Sequence, residues 1–333
     1  MGFELCHGGK DLNMTILLTG VAGFIGARTA ELLLDAGHVV VGVDNLNDYY
    51  PVALKEHRLS ALRGRPGFSF HAVDVEDRAA LAELFKAHRF DGVINLAARA
   101  GVRASMENPQ VYLSTNTLGT LNLLDLMVHH GVPRYVMAST SSLYAAARPP
   151  FNETADITRP ISPYAATKLA AEALAHVWHH VHGLRVAVLR YFTVFGPAGR
   201  PDMSPFKFIE CVRRGRPLPL FGDGSQTRDF TYIDDVARGT VDALQLEGFE
   251  IINLGGGNQP ISIRAMIDCI AREVGRPAVI QQLPPNPVDM AETSADISKA
   301  ARLLAWRPQV TPFDGFARTV AWHRANAAWL DAL

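Results

Sequence analysis

The sequence predicts an α/β chain, with a doubly wound parallel sheet first and a smaller mixed α/β lobe after it. Three observations carry this. From Thr15 to Arg190, short apolar runs of strand length alternate with segments of helical periodicity, as in parallel sheets covered on both faces. Glycines punctuate the ends of the helical segments. Beyond Phe195 the alternation gives way to a stretch rich in Pro, Gly and Arg, opening at Gly196-Pro197, in which strands and helices mix.

The elements follow in order. Residues 15–19 are apolar and run into a glycine-rich turn, which marks a buried strand. Over 24–36, Ile25, Ala30, Leu33 and Leu34 fall at helical spacing, and Gly37 is the stop signal. A second buried strand, 38–43, is closed by Asp44. Strand 68–72, helix 78–88, strand 92–96, helix 111–130 and strand 134–139 continue the alternation. A long helix over 163–182 stops at Gly183, and 185–190 is a further strand. The expected division is therefore a first domain over 14–195, with about 228–260 returning to it, and a second lobe formed mainly by 196–333. Residues 1–13 precede the first strand and are expected to be a disordered extension.

Composition narrows the function classes. The 333 residues are 48% hydrophobic and 20% charged, which suits a globular chain with a substantial core. A formal net charge of −1 provides no overall field for nucleic acid or anionic lipid, so neither partner is expected. No apolar run approaches the roughly 20 residues that span a bilayer. Residues 1–13 lack the apolar segment of a signal peptide. Cys6, Cys211 and Cys269 lie far apart, which favours a reducing cytoplasm over a disulfide framework. His176, His179, His180 and His182 share one helix without supporting ligands, so no metal is expected. Trp306, Trp322 and Trp329 are expected to pack the C-terminal helices.

Gly20-Val-Ala-Gly23-Phe24-Ile25-Gly26 stands after a strand and opens a helix, where a Rossmann dinucleotide fingerprint stands. Gly20 would make the tight turn, Gly23 would let the backbone approach a pyrophosphate, and Gly26 would let helix and strand pack closely. Asp44 ends the second strand, where a carboxylate accepts from adenosine ribose hydroxyls and repels a 2′-phosphate, so the expected cofactor is NAD. Asn45 adjoins it. Asp74 and Val75 after the third strand, and Leu96, Ala97 and Ala98 after the fourth, are expected to border the cofactor. Arg28 and Arg58 read as surface arginines.

Tyr164-Ala-Ala-Thr-Lys168 sets a phenol and an ammonium one helical turn apart on one face. A neighbouring cation favours the phenolate, which would turn Tyr164 into a base for an alcohol proton while hydride leaves the same carbon. Ser139-Thr140-Ser141-Ser142 closes the fifth strand, at the end of the sheet where ligands of this fold bind.

Together these motifs resemble the extended short-chain dehydrogenase/reductase family, the NAD-dependent epimerases and dehydratases, and within it the nucleotide-sugar epimerases acting on UDP-glucuronate. Further stretches carry the likeness: 44–50 (DNLNDYY), 100–103 (AGVR), 190–197 (RYFTVFGP), 199–203 (GRPDM), 228–235 (RDFTYIDD) and 292–296 (ETSAD). The resemblance implies Tyr164, Lys168 and Thr140 as catalytic residues, with Ser141 and Ser142 beside the sugar. It also implies Tyr164, Lys168 and Tyr191 against the cofactor. Thr193 stands where galactose-type epimerases carry Asn, which implies room for a C6 carboxylate. Arg103, Phe206, Arg228 and Asp289 are implied around the UDP-sugar. A homodimer through helices 110–130 and 163–182 is implied as well, and the acidic product suits a polysaccharide precursor.

Two departures bear on loop shape. Ala145 stands where the family often has Gly, which is free of strain if its φ is negative. Asn286-Pro-Val-Asp289 replaces a Pro-Gly-Asp. Rival readings stay open at this point. A UDP-glucuronate decarboxylase shares the first oxidation but commonly has Glu where Ser142 stands, and a neutral-sugar 4-epimerase is opposed chiefly by Thr193. A non-catalytic NAD-binding protein would not need the reactive pair.

Overall fold

The computed structural model describes residues 13–257, 260–285 and 290–333; the expected extension lies outside them apart from Asn13. The first half runs β1 (Thr15–Thr19), α1 (Phe24–Asp35), β2 (Val39–Val43), α2 (Val52–Ser60), β3 (Phe68–His71), α3 (Arg78–Ala87), β4 (Gly92–Asn95), α4 (Val102–Glu107), α5 (Pro109–Tyr112), α6 (Gly119–His130) and β5 (Arg134–Thr140). There follow α7 (Pro163–His182), β6 (Arg185–Tyr191), β7 (Thr193–Phe195), α8 (Ser204–Arg214), β8 (Leu218–Phe221), β9 (Thr227–Arg228), β10 (Phe230–Tyr232), α9 (Ile233–Asp242) and β11 (Phe249–Leu254). The chain ends with β12 (Ile261–Ser262), α10 (Ile263–Val274), β13 (Ile280–Leu283), α11 (Ser298–Leu304), α12 (Pro312–Ala325) and α13 (Ala327–Asp331).

Seven parallel strands form the main sheet in the order β11-β6-β5-β4-β1-β2-β3. The order reverses between β1 and β4, so a crevice opens there at the carboxyl ends of the strands. Every strand expected up to residue 190 is in this sheet, and β11 extends it beyond β6. One face is sealed by α1 and α9 around Ile16, Leu18, Leu33, Val236 and the wholly buried Trp306. The other is sealed by α3, α6 and α7 around Leu81, Leu123, Met127, Ala171 and Ala175. A separate core, including Phe195, Phe208, Ile209, Met266 and Phe316, joins α8, α10 and α12.

Local chemistry sets the helix that matters most. Ser162 caps α7 by accepting from Ala165 N, Pro163 occupies its first turn, and Gly183 ends it in the left-handed region at φ 71°. The rings of His176 and His179 on this helix pack against Phe249.

The helix expected over 111–130 is not continuous. Residues Leu113–Leu118 form a π-helical segment between α5 and α6. Asn116 explains it: its side chain donates to Arg99 O and to Thr167 Oγ1 and accepts from Arg99 N, so the widened turn pins the chain after β4 to α7. The tryptophans also divide their work. Trp306 donates to Asp235 O at 2.8 Å within the sheet core, whereas Trp322 and Trp329 close on His57 of α2.

Arg58, expected at the surface, is buried. Its guanidinium donates to Ala22 O, Ala198 O, Gly199 O and Tyr50 Oη, and so ties the glycine turn to the loop leaving β7. Arg28 does lie half-exposed, paired with Glu31 and Asp234. Replacing Arg58 with Met would keep the packed stem and strand three buried carbonyls. The expected loss is about 2–4 kcal/mol, read as a lower denaturant midpoint at unchanged slope. A wild-type midpoint would contradict it.

Candidate active site

The switch-point crevice is a single cleft, and most of the predicted residues line it. Gly20, Gly23, Phe24, Ile25 and Gly26 form its floor, with Asp44, Asn45, Asp74, Val75, Leu96, Ala97 and Ala98 along one wall. Thr140, Ser141, Ser142, Tyr164, Lys168, Tyr191 and Thr193 line the opposite end.

The glycine turn admits no side chain. Gly20 has φ +70°, and a Cβ there would meet Ala97 N at 2.7 Å. A Cβ on Gly26 would lie 2.1 Å from Gly20 O. Gly23 precedes α1 without any side-chain cap, which leaves the backbone donors of that helix end facing the cleft. Asp44 is held by Ala22 N at 3.2 Å, Leu46 N at 2.8 Å and Lys55 Nζ at 3.5 Å. A carboxylate has about four acceptor sites, so capacity remains for a ribose hydroxyl. These residues therefore fit an adenine dinucleotide: a cradle that a single Cβ would fill, an uncapped helix end and an anchored acid.

At the other end, α7 leans the face that carries Tyr164, Lys168 and Glu172 against the end of β5. The Tyr164 phenol and the Thr140 hydroxyl line the same corner of the cleft, and the Thr140 hydroxyl favours the phenolate. Lys168 Nζ donates to Ala138 O at 2.9 Å. Burial pulls the Lys168 ammonium down to about 8, with Glu172 acting in the opposite sense. Burial pushes the Tyr164 phenol up, against the expectation that its lysine would lower it. Desolvation outweighs every opposing influence, and Thr140 and Arg200 are the groups that favour the phenolate. Thr140 also accepts from Ser142 N, which shapes the 3₁₀ turn Ser141–Tyr144. Ala145 follows at φ −55°, so alanine there is unstrained.

Other predicted residues lie apart from the cleft walls. The Arg103 guanidinium stacks over the Phe221 ring, 4.5 Å from its centroid, and so bridges α4 to the end of β8. Arg228 donates to Thr227 O on β9. Phe206 belongs to a small separate core with Leu54 and Leu330, its ring edge-on to His323, because the apolar face of α8 turns inward there. Asp289 lies outside the described residues, as does the Asn286-Pro-Val-Asp289 departure. Tyr191 lines the cleft while its hydroxyl bonds to Thr240.

Several lining residues escaped sequence reasoning. Asn47, Tyr49, Tyr50, Lys55, Arg99, Thr115, Arg200 and Met203 all face the cleft. Tyr49 donates to Ala100 O, and the guanidinium groups of Arg99 and Arg200 both lie within 6 Å of its ring, at 5.7 and 5.6 Å. Arg200 also forms a fork with Asp202. A signal is available, since 44–50 and 199–203 carry the resemblance, but no motif gives Asn47, Tyr49, Tyr50, Arg200 or Met203 a role. The lining holds four cations (Lys55, Arg99, Lys168 and Arg200) against two carboxylates (Asp44 and Asp74). A chain of net charge −1 thus presents a locally positive cleft, suited to a polyanionic ligand.

Known proteins share both the sequence and the geometry. A UDP-glucuronate 4-epimerase of Thermodesulfobacterium geofontis is 53% identical over 310 residues, which cover 93% of this chain and 96% of that protein. The crystal structure of UDP-glucuronic acid 4-epimerase from Bacillus cereus, in complex with UDP-glucuronic acid and NAD, matches with a TM-score of 0.88 at 37% identity, covering 94% of this chain and 99% of that one. A UDP-glucose 4-epimerase from Thermotoga maritima with UDP-glucose matches with a TM-score of 0.86 at 30% identity, covering 94% and 100%. The sequence profile of a single family spans residues 16–255, from β1 to the end of the seventh sheet strand. The chain belongs to the NAD dependent epimerase/dehydratase family.

Proposed function

We propose that this protein is an NAD-dependent isomerase that interconverts UDP-glucuronate and UDP-galacturonate at C4 of the sugar. The observation that carries the reading is the meeting of Tyr164, Thr140 and Lys168 at one end of a cleft that also presents Arg200 and Thr193. The likeness to UDP-glucuronate 4-epimerases supports the acidic substrate.

The residues divide the work as follows. NAD, when bound in the glycine cradle, supplies the acceptor for the C4 hydride and returns it to the opposite face, so net redox change is zero. Tyr164 takes the C4 hydroxyl proton as base and gives it back as acid. Thr140, lining the cleft at the same corner as the phenol, orients that oxygen, with Ser141 and Ser142 beside the sugar. Lys168, fixed by Ala138 O, presents its cation to the same corner. Between the two transfers the 4-keto sugar turns within the cleft.

That intermediate is a β-keto acid and loses CO₂ when its carboxylate aligns with the carbonyl π system. Arg200 and Thr193 hold the carboxylate out of that alignment. Ser142, in place of an acid, offers no general acid for a decarboxylation or elimination route. Arg103 and Arg228, with Asp289, serve the nucleotide end. The division of labour places NAD on 14–195 and 228–260, and the UDP-sugar mainly on 196–333.

The assembly is a homodimer. Val177 and Val181, one turn apart on α7, and Leu113 and Leu118 on the π-helical segment are exposed apolar side chains in neighbouring elements. Among the described residues no helix is long and apolar enough to cross a membrane. Cys211 and Cys269 are free thiols, which suits the cytoplasm.

Incubation with UDP-glucuronate and chromatography of the products tests the reading. UDP-galacturonate is expected, and Tyr164→Phe should lower its rate by about 10²–10⁴-fold; a UDP-pentose would instead mark a decarboxylase. Thr193→Ala should release measurable CO₂ or raise KM for the uronate, whereas unchanged kinetics and product would remove Thr193 from substrate recognition. The double variant Val177→Glu/Val181→Glu should sediment as a monomer where the wild-type protein is a dimer. A monomeric wild type would contradict the assembly.

A further inference from the structure

Three side chains on successive turns of α7 grip three consecutive residues of β5. Lys168 Nζ holds Ala138 O at 2.9 Å, Glu172 accepts the Ser139 hydroxyl, and Tyr164 meets the Thr140 hydroxyl. Two of these rungs belong to the proposed chemistry. The third joins Ser139, which lines the cleft, to Glu172, which does not.

Glu172 is buried, and it is held from the far side by Arg190 of β6 (Nε to Oε1 at 3.0 Å, Nη2 to Oε2 at 2.7 Å). Arg190 is itself buried and donates to Tyr144 Oη at 2.8 Å, which donates in turn to Asn253 Oδ1 at 2.7 Å on β11. An ion pair this deep is a weak source of stability, since apolar side chains of equal volume commonly do as well. What it adds that apolar packing would not is a fixed anion one helical turn from Lys168.

We propose that Glu172 is a positioning residue for the Tyr164/Lys168 pair, seating the end of β5 through Ser139 and standing, clamped by Arg190, one helical turn from Lys168. This rests on the reading of Tyr164 and Lys168 as the reactive pair. The charged and titratable groups around the corner are Tyr164 and Glu172 on α7, Arg190 on β6, Tyr144 and Glu153 beside Arg190, and Tyr49 and Arg200 across the cleft from Tyr164. Of these, Glu172 is the group that raises Lys168 against its burial. The ammonium is lost as pH rises through its folded value, so activity that needs the cation falls on the basic side. Removing Glu172 moves that fall to lower pH.

The test compares pH profiles of kcat for the wild-type holoenzyme, Glu172→Gln, Ser139→Ala and the double variant Glu172→Met/Arg190→Met. Acetic anhydride labelling of Lys168, followed by mass spectrometry across pH, reads the same ammonium without turnover. Glu172→Gln should move both the basic limb and the labelling onset down by roughly one pH unit, with KM little changed. Ser139→Ala should keep them at the wild-type position. Should Gln beside an unpaired Arg190 prevent folding, the double variant removes both charges and should move them the same way. A folded variant lacking Glu172 with a wild-type limb and onset overturns the proposal, as does loss of fold in both. Wild-type protein that ignores UDP-glucuronate, with labelling that still shifts, would sink the proposed reaction and leave this inference standing.

Discussion

The structure turns on the contact between α7 and the carboxyl end of β5. Positions 164, 168 and 172 fall on one face of a helix, and that face meets residues 138–140 of the strand. A parallel doubly wound sheet places this strand end at its ligand crevice, so a packing contact is also the proposed reactive corner. Burial there works against both ionised forms, drawing the ammonium down to about 8 and the phenol up. The Lys168 ammonium therefore stands close enough to neutral pH for a neighbouring charge to tip it, as one pH unit corresponds to about 1.4 kcal/mol.

A second constraint is electrostatic. The chain as a whole is nearly neutral, yet its cleft gathers Lys55, Arg99, Lys168 and Arg200. Each is fixed by a specific partner: Asp44 for Lys55, Tyr49 for Arg99, Ala138 O for Lys168, and Asp202 with Ala100 O for Arg200. Preorganised cations of this kind recognise diphosphate and carboxylate with little reordering cost. In the proposed reaction, Arg200 among them holds the sugar carboxylate through the keto stage.

What the sequence revealed follows from which signals are local. Strand and helix periods, the glycine turn, Asp44 and the 164/168 spacing are short-range patterns, and the main sheet follows them closely. The π-helical segment escaped because its cause, the bonding of Asn116 to Arg99 and Thr167, joins residues far apart in the chain. Arg58 looked like a surface residue for the same reason, as its four acceptors come from three separate loops. The resemblance implies Phe206 beside the ligand, whereas the inward face of α8 seats it beside Leu54 and Leu330. Burial pushes the Tyr164 phenol up, an influence no spacing argument could weigh.

The central claim is that oxidation at C4 is transient and confined to one closed corner. UDP-glucuronate carrying deuterium at C4 tests it most directly, with the product examined by NMR. The account predicts UDP-galacturonate that retains the deuterium at C4, with no wash-out into water. Loss of the label to solvent, or its appearance in a decarboxylated pentose, would contradict it.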